Sequence, residues 1–168
     1  MEKVVIRKPE IKDLDSMLEM INSVVEEKAM ISIQEKQTKA NEKKFLKNTI
    51  KNNELKLAIA KVLEIDKKIV GICSIAPEAG IESHIGEVGI FLKKEARGKG
   101  LGKKLFIDVT ESGIKMFKFK ILKLFVFSKN KPAISLYKGQ GFKKLGTIKK
   151  GVRYYNRYED DDIMIKYL

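Results

Sequence analysis

Three glycines at alternate positions, in Arg97-Gly98-Lys99-Gly100-Leu101-Gly102, mark the stretch best suited to chemistry. They follow an apolar run, Val88 to Leu92, and precede one of helical character, Lys103-Lys104-Leu105-Phe106-Ile107. A glycine turn that opens a helix exposes backbone N–H groups with no partner inside the helix, at the positive end of its dipole. Such a turn can cradle a pyrophosphate, and Lys99, Lys103 and Lys104 add positive charge. Elsewhere the chemistry is sparse. His84 is the only histidine; its ordinary pKa suits a proton acceptor, while its place at the start of a strand suits a surface role. Cys73 is the only cysteine, in an apolar strand-like run. An intramolecular disulfide is therefore excluded, and a covalent thiol intermediate or a structural zinc site is disfavoured.

The elements that must hold these residues can be read from periodicity. Val4 to Arg7 predicts a short strand ended by Pro9. Ile11, Leu14, Leu18, Ile21 and Val25 recur at helical spacing and predict an amphipathic helix. Gln37 to Asn52 predicts a second, polar helix anchored by Phe45, Leu46 and Ile50. Leu55–Ile65 and Lys67–Ala76 read as a hairpin, and His84–Leu92 as a strand with Val88, Ile90 and Leu92 on one face. Gly100–Phe117 predicts a long helix and Ile121–Phe127 a central strand. Asn130–Lys138 predicts a short helix with Pro132 in its first turn. Phe142–Lys149 and Asp162–Leu168 close the chain as strands around a polar loop, Lys150–Asp161. The order predicts an α/β fold, a mixed sheet with helices packed on its faces.

With 168 residues, 43% of them hydrophobic, residues 1–168 are expected to form a single domain with a real core. No apolar stretch is long enough to span a membrane. The opening Met1-Glu2-Lys3-Val4-Val5-Ile6 lacks a signal-peptide pattern, so the expectation is a cytoplasmic protein. The formal net charge is +13, nearly all from lysine. Such a balance favours polyanionic partners, including nucleic acid. The lysines are scattered, however, no nucleic-acid-binding motif is present, and Glu159-Asp160-Asp161-Asp162 interrupts any continuous basic face. Nucleic acid is thus the weaker alternative.

A second motif decides what the glycine turn is for. Asn130-Lys131-Pro132-Ala133-Ile134-Ser135-Leu136-Tyr137 is followed by Gly141-Phe142. With the turn it resembles the GNAT superfamily of acyl-CoA-dependent N-acetyltransferases, whose patterns are R/Q-x-x-G-x-G/A and N-x-x-A-x-x-L-Y-x-x-x-G-F. The resemblance extends to Ile6-Arg7 and Asp13 near the start, to His84–Ile90, and to the tail Gly146–Met164. It implies a GNAT-like fold: a mostly antiparallel sheet of six or seven strands, splayed between the fourth and fifth, with about four helices. It also implies acetyl-coenzyme A as co-substrate, no metal, and transfer of acetyl to a primary amine by direct attack in a ternary complex. The amine could belong to a protein or peptide N-terminus, a polyamine or another small amine. A sensor that binds acyl-coenzyme A without turnover is the alternative within the family, and a homodimer is compatible with it.

Residue by residue, the resemblance assigns the pyrophosphate to Arg97, Gly98, Lys99, Gly100, Leu101, Gly102 and Lys103. The three glycines would let the backbone approach closely. A bulged fourth strand, marked by Gly89, would offer the backbone groups of Ile90, Phe91 and Leu92 to the pantetheine arm and an N–H to the developing oxyanion. Asn130 would orient the cofactor or cap a helix, and Ala133 would leave room for it. Tyr137 would protonate the departing thiolate. The family's glutamate on the fifth strand is replaced here by Phe125. Glu87 is then the first candidate for a base, with His84 and water as the others. Acceptor recognition is expected from Glu26, Glu27 and Glu35, or from Tyr154, Tyr155 and Tyr158 with Asp160, Asp161 and Asp162.

Overall fold

Apolar runs broken by short turns build most of the sheet. The computed structural model describes residues 3–168, so the reading of the amino terminus at Met1 and Glu2 falls outside the described residues. In chain order the elements are β1 (Val4–Arg7), α1 (Leu14–Glu26), α2 (Lys39–Glu54), β2 (Ile59–Ile65), β3 (Lys68–Pro77), β4 (Ile85–Leu92), α3 (Leu101–Phe117), β5 (Ile121–Phe127), α4 (Lys131–Gly139), β6 (Lys143–Tyr154) and β7 (Arg157–Tyr167). The seven strands form one sheet in the order β1-β2-β3-β4-β5-β7-β6. Every neighbouring pair is antiparallel except β4 and β5, which are parallel. Among the described residues, no helix is long and apolar enough to cross a membrane.

Alternation along the strands divides the interior in two. On one face, Val88 and Leu92 of β4 and Leu122, Leu124 and Val126 of β5 pack with Leu105, Phe106 and Val109 of α3 and with Tyr137 of α4. On the other, Val62, Ile69 and Ile72 pack with Met17 and Met20 of α1 and Leu46 of α2, and Phe91 joins them. The α1 stripe differs slightly from the sequence reading. Met17, Met20, Ile21, Val24 and Val25 are its buried residues, whereas Ile11 is about half exposed in a preceding 3-10 turn.

Two features near the candidate site differ from expectation. Lys150–Asp161 is not a loop: β6 and β7 run through it, joined by a two-residue turn at Tyr155 and Asn156. The segment is polar because β6 is an edge strand, largely exposed, which needs no apolar alternation. Nor is β4 bulged at Gly89 in its pairing with β3, which is unbroken from Gly86 to Leu92. The irregularity is on the other side. β4 pairs with β5 at only three positions, Ile85↔Ile121, Gly86↔Leu122 and Glu87↔Lys123. Beyond Glu87 and Lys123 the two strands diverge, and the sheet opens as a wedge.

Candidate functional site

The parity of the β ladder decides which backbone groups face the wedge. The Lys93 N–H donates to the Val70 carbonyl at 2.8 Å, continuing the β3–β4 register. In an antiparallel pair such bonds recur at every second residue, so Phe91 and Gly89 also spend their backbone groups on β3. The opposite parity faces β5: the His84 carbonyl accepts from the N–H groups of Lys120 and Ile121. Ile90 and Leu92 share that parity and lie beyond the last pair, so their groups open into the wedge. Phe91 therefore cannot contribute backbone groups there, which corrects the sequence reading. The Leu92 carbonyl is also taken, by the Arg97 guanidinium, whose Nε donates to it at 2.9 Å. Among the described residues, Ile90 is left with no backbone partner for its N–H or its C=O.

The loop after β4 leads directly to α3. Gly98 and Gly100 have φ of 73° and 74°, a region in which residues with a Cβ are strained. A Cβ added at either would meet no neighbour within 4 Å, so the backbone turn, rather than crowding, requires glycine. Gly102 has another reason, because its Cβ would press on the Leu92 side chain at 3.3 Å. The first bond closing α3 runs from the Lys104 N–H to the Gly100 carbonyl at 3.2 Å. Among the described residues, the N–H groups of Gly98, Lys99, Gly100, Leu101, Gly102 and Lys103 have no backbone acceptor. Arg97 does not join them through its side chain. Besides the Leu92 carbonyl, its guanidinium holds the Glu27 carboxylate, tying the glycine loop to the end of α1.

Tyr137 closes the same face. It is 6% exposed, with its ring 5.4 Å from that of Phe106 and 6.2 Å from that of Phe142. Its hydroxyl makes no hydrogen bond among the described residues, yet it is not among the enclosed, unpartnered polar atoms. It thus opens on accessible space. Burial, and then the neighbouring Cys73, push the phenol above its ordinary pKa. Cys73 stands opposite Ile90 in the β3–β4 register, so the phenol and the free Ile90 groups belong to one neighbourhood. The Cys73 thiol is 1% exposed and is itself raised by burial. Such a thiol is a poor nucleophile. Asn130 caps α4, its side chain accepting from the Ala133 N–H at 3.3 Å. Ala133 packs, partly buried, against the core.

Glu87 lies on the opposite face, in step with Phe91, at the closed vertex of the wedge. Its carboxylate is 3.4 Å from the Lys123 ammonium, which also binds Glu78. His84 is exposed, and the six residues to Ile90 separate them by roughly 20 Å of strand. The other acidic candidates are mostly neutralised. Glu26 pairs with Lys36, Glu27 with Arg97 and Asp160 with Lys149. Asp162 accepts from Ser128 and Thr147 at 2.5 and 2.7 Å and pairs with Lys144 at 2.8 Å. Burial opposes its ionisation, but these three partners outweigh burial and bring its pKa down to about 2. Tyr154 serves as a clamp, its hydroxyl donating to the Lys28 carbonyl; the Tyr155 backbone N–H donates to the Gln34 side chain at 2.5 Å, and Tyr158 is exposed. Among the described residues, two partly or fully buried carboxylates have no cation: Asp161 beside Phe127, and Glu42 on α2, which the sequence reading did not include.

The sequence and the fold match known proteins. The model of the acetyltransferase (GNAT) family covers residues 20–142. The chain belongs to the GNAT acetyltransferase family. No curated protein matches its sequence. Among solved structures, a ribosomal-protein-alanine N-acetyltransferase from Brucella melitensis is 26% identical with a TM-score of 0.85, over 98% of this chain and 99% of that one. An acetyltransferase of the GNAT family from Streptococcus pneumoniae is 25% identical with a TM-score of 0.81, over 99% and 100%. An acetyltransferase from Salmonella typhimurium, solved with its cofactor acetyl-CoA, is 19% identical with a TM-score of 0.83, over 98% and 94%. The seven-stranded sheet, its parallel β4–β5 pair and the four helices are those of the GNAT fold. Among the described residues, no group of three or more His, Cys, Asp or Glu is placed to hold a metal ion.

Proposed function

We propose that this GNAT protein transfers the acetyl group of acetyl-coenzyme A to a primary amine, by direct attack within a ternary complex. One observation carries the reading. Among the described residues, the N–H groups of Gly98–Lys103 have no backbone acceptor and the Tyr137 hydroxyl has no hydrogen bond, and Ile90 lies in β4 beyond its last pair with β5. The residues fit the co-substrate. Six N–H groups and the α3 dipole would hold a pyrophosphate, and Ile90 would pair with an amide of the pantetheine arm. Bound there, the thioester supplies an acetyl carbon open to attack by nitrogen.

The chain's own groups then divide the work by face. The Ile90 N–H donates to the carbonyl oxygen as negative charge grows on it. As the N–C bond forms and the C–S bond breaks, Tyr137 gives its hydroxyl proton to the leaving sulfur. Burial penalises phenolate and thiolate alike, so a shared proton matters more here than in water. On the acceptor face, Glu87 takes the proton that the amine must lose, directly or through water, with Lys123 holding the carboxylate in place. The amino-acceptor activity named for the Brucella protein supports nitrogen as the nucleophile.

The test is thiol release from acetyl-coenzyme A across a panel of amines and peptides with free N-termini. Turnover with at least one amine, and none with matched alcohols, is the expected result. Binding of acetyl-coenzyme A without turnover on any amine would favour a sensor instead.

A further inference from the structure

A cavity of about 120 Å³ lies on the acceptor face, between α1, the segment following it, α2 and β4. Ile21, Ile33, Phe45 and Phe91 give it apolar walls, and its polar lining is Gln37 and Glu42. Gln37 is accounted for. Its side chain donates to the Glu35 carbonyl at 2.8 Å, and Asn22 binds its backbone N–H at 2.7 Å and its carbonyl at 3.1 Å. These bonds pin the wall in place.

Glu42 is different. It is 4% exposed and takes part in no ion pair or side-chain hydrogen bond among the described residues. It does not cap α2, because Thr38 does so by accepting from the Asn41 N–H. Burial raises its carboxyl above the ordinary range, with no opposing partner. A buried carboxylate without a cation is costly, and an apolar residue among Ile21, Ile33 and Phe91 would suit the fold better. Phe45, 45% exposed, forms the rim through which the cavity meets solvent. The cavity also adjoins the reacting centre, since Phe91 follows Ile90 in β4.

We propose that Glu42 anchors a second cation of the acceptor: an ammonium on an aliphatic stem, with its methylenes against Ile21, Ile33 and Phe91. The acceptor class is then an aliphatic diamine or polyamine, one amine reacting in the wedge and the other seated on Glu42. This assignment rests on the N-acetyltransferase reading and narrows it.

The experiment compares diaminobutane and diaminohexane with butylamine and hexylamine, which have the same stems without the second charge. The wild-type chain should favour the diamines about tenfold or more in kcat/KM, as expected for a charge-assisted bond. Glu42→Gln should erase that advantage by raising KM while kcat holds. Ile33→Trp, which fills the cavity and leaves Glu42 in place, should do the same and serves if the Glu42 variant does not fold. Equal use of mono- and diamines by the wild type would overturn the assignment. So would a preference that survives both substitutions, or a free peptide N-terminus that outperforms every diamine. Calorimetric titration of diaminohexane into the protein saturated with coenzyme A keeps the two readings apart. If no amine supports thiol release, the acetyltransferase reading fails. Saturable diamine binding, lost in Glu42→Gln, would still uphold the anchor, and absence of that binding would reject it.

Discussion

The two faces of the sheet around β4 handle their polar groups in opposite ways. On the α3–α4 face, the groups that matter are left open: six N–H groups at the start of α3, the Ile90 backbone and the Tyr137 hydroxyl. On the α1–α2 face, charges are cancelled in pairs, Glu26 with Lys36 and Glu87 with Lys123. Glu42 and Asp161 are the exceptions. Groups left open to water are available to a ligand at little cost, so the first face suits a fixed co-substrate. The second is held by its own ion pairs and hydrogen bonds, and in the proposed reading it receives the acceptor. The Arg97–Glu27 pair joins the faces, linking the glycine loop to the end of α1.

Substitutions can break this division, beginning with the largest effect. Tyr137→Phe should lower kcat by roughly a hundredfold or more, in line with loss of a general acid, while the Kd for coenzyme A stays within about twofold. Steady-state thiol release and calorimetry measure the two quantities. An equal loss in both would make Tyr137 a packing residue.

Asp162 tests a paired charge on the first face. Its folded pKa, about 2, lies below its ordinary value of 3.8. The stabilisation is therefore present above about pH 4 and is lost as pH falls through 2, amounting to about 2 kcal/mol. Asp162→Asn should cost a similar amount in urea unfolding at pH 7, and the difference from wild type should shrink below pH 3.

Gly100→Val should raise the Kd for coenzyme A by about tenfold, because a β-branched residue resists the left-handed turn. Activity at saturating co-substrate should change less. The smallest effect is expected at Glu87, where water can replace a half-exposed carboxylate. Glu87→Gln should reduce kcat by about threefold to tenfold, with the loss largest at low pH, where the amine most needs help to lose its proton. An unchanged rate at all pH values would leave proton removal to solvent.

Local backbone chemistry was readable in the chain, and tertiary burial was not. Arg97–Gly102 and Asn130–Tyr137 identify themselves because glycine in a left-handed turn, a helix start and an N-cap are short-range requirements. The mostly antiparallel sheet and its splay between the fourth and fifth strands followed from the family those motifs resemble. Phe91 was misread because adjacent residues send their backbone groups to opposite sides of a strand, and only the register reveals which side faces β3. The hairpin through Lys150–Asp161 looked like a loop because an edge strand exposed on both faces loses the apolar alternation. Glu42 was invisible for the converse reason. Its neighbours, Asn41, Lys43 and Lys44, are polar and exposed, and its burial comes from the packing of α2 against α1 and β2, which no local pattern encodes.

Calorimetric titration of acetyl-coenzyme A into the wild-type chain asks whether the open face is a site for an acyl-coenzyme A. Saturable binding of one molecule per chain, weakened in Gly100→Val and retained in Tyr137→Phe, is the predicted result. Absence of binding to the wild-type chain at saturating concentration would contradict the account.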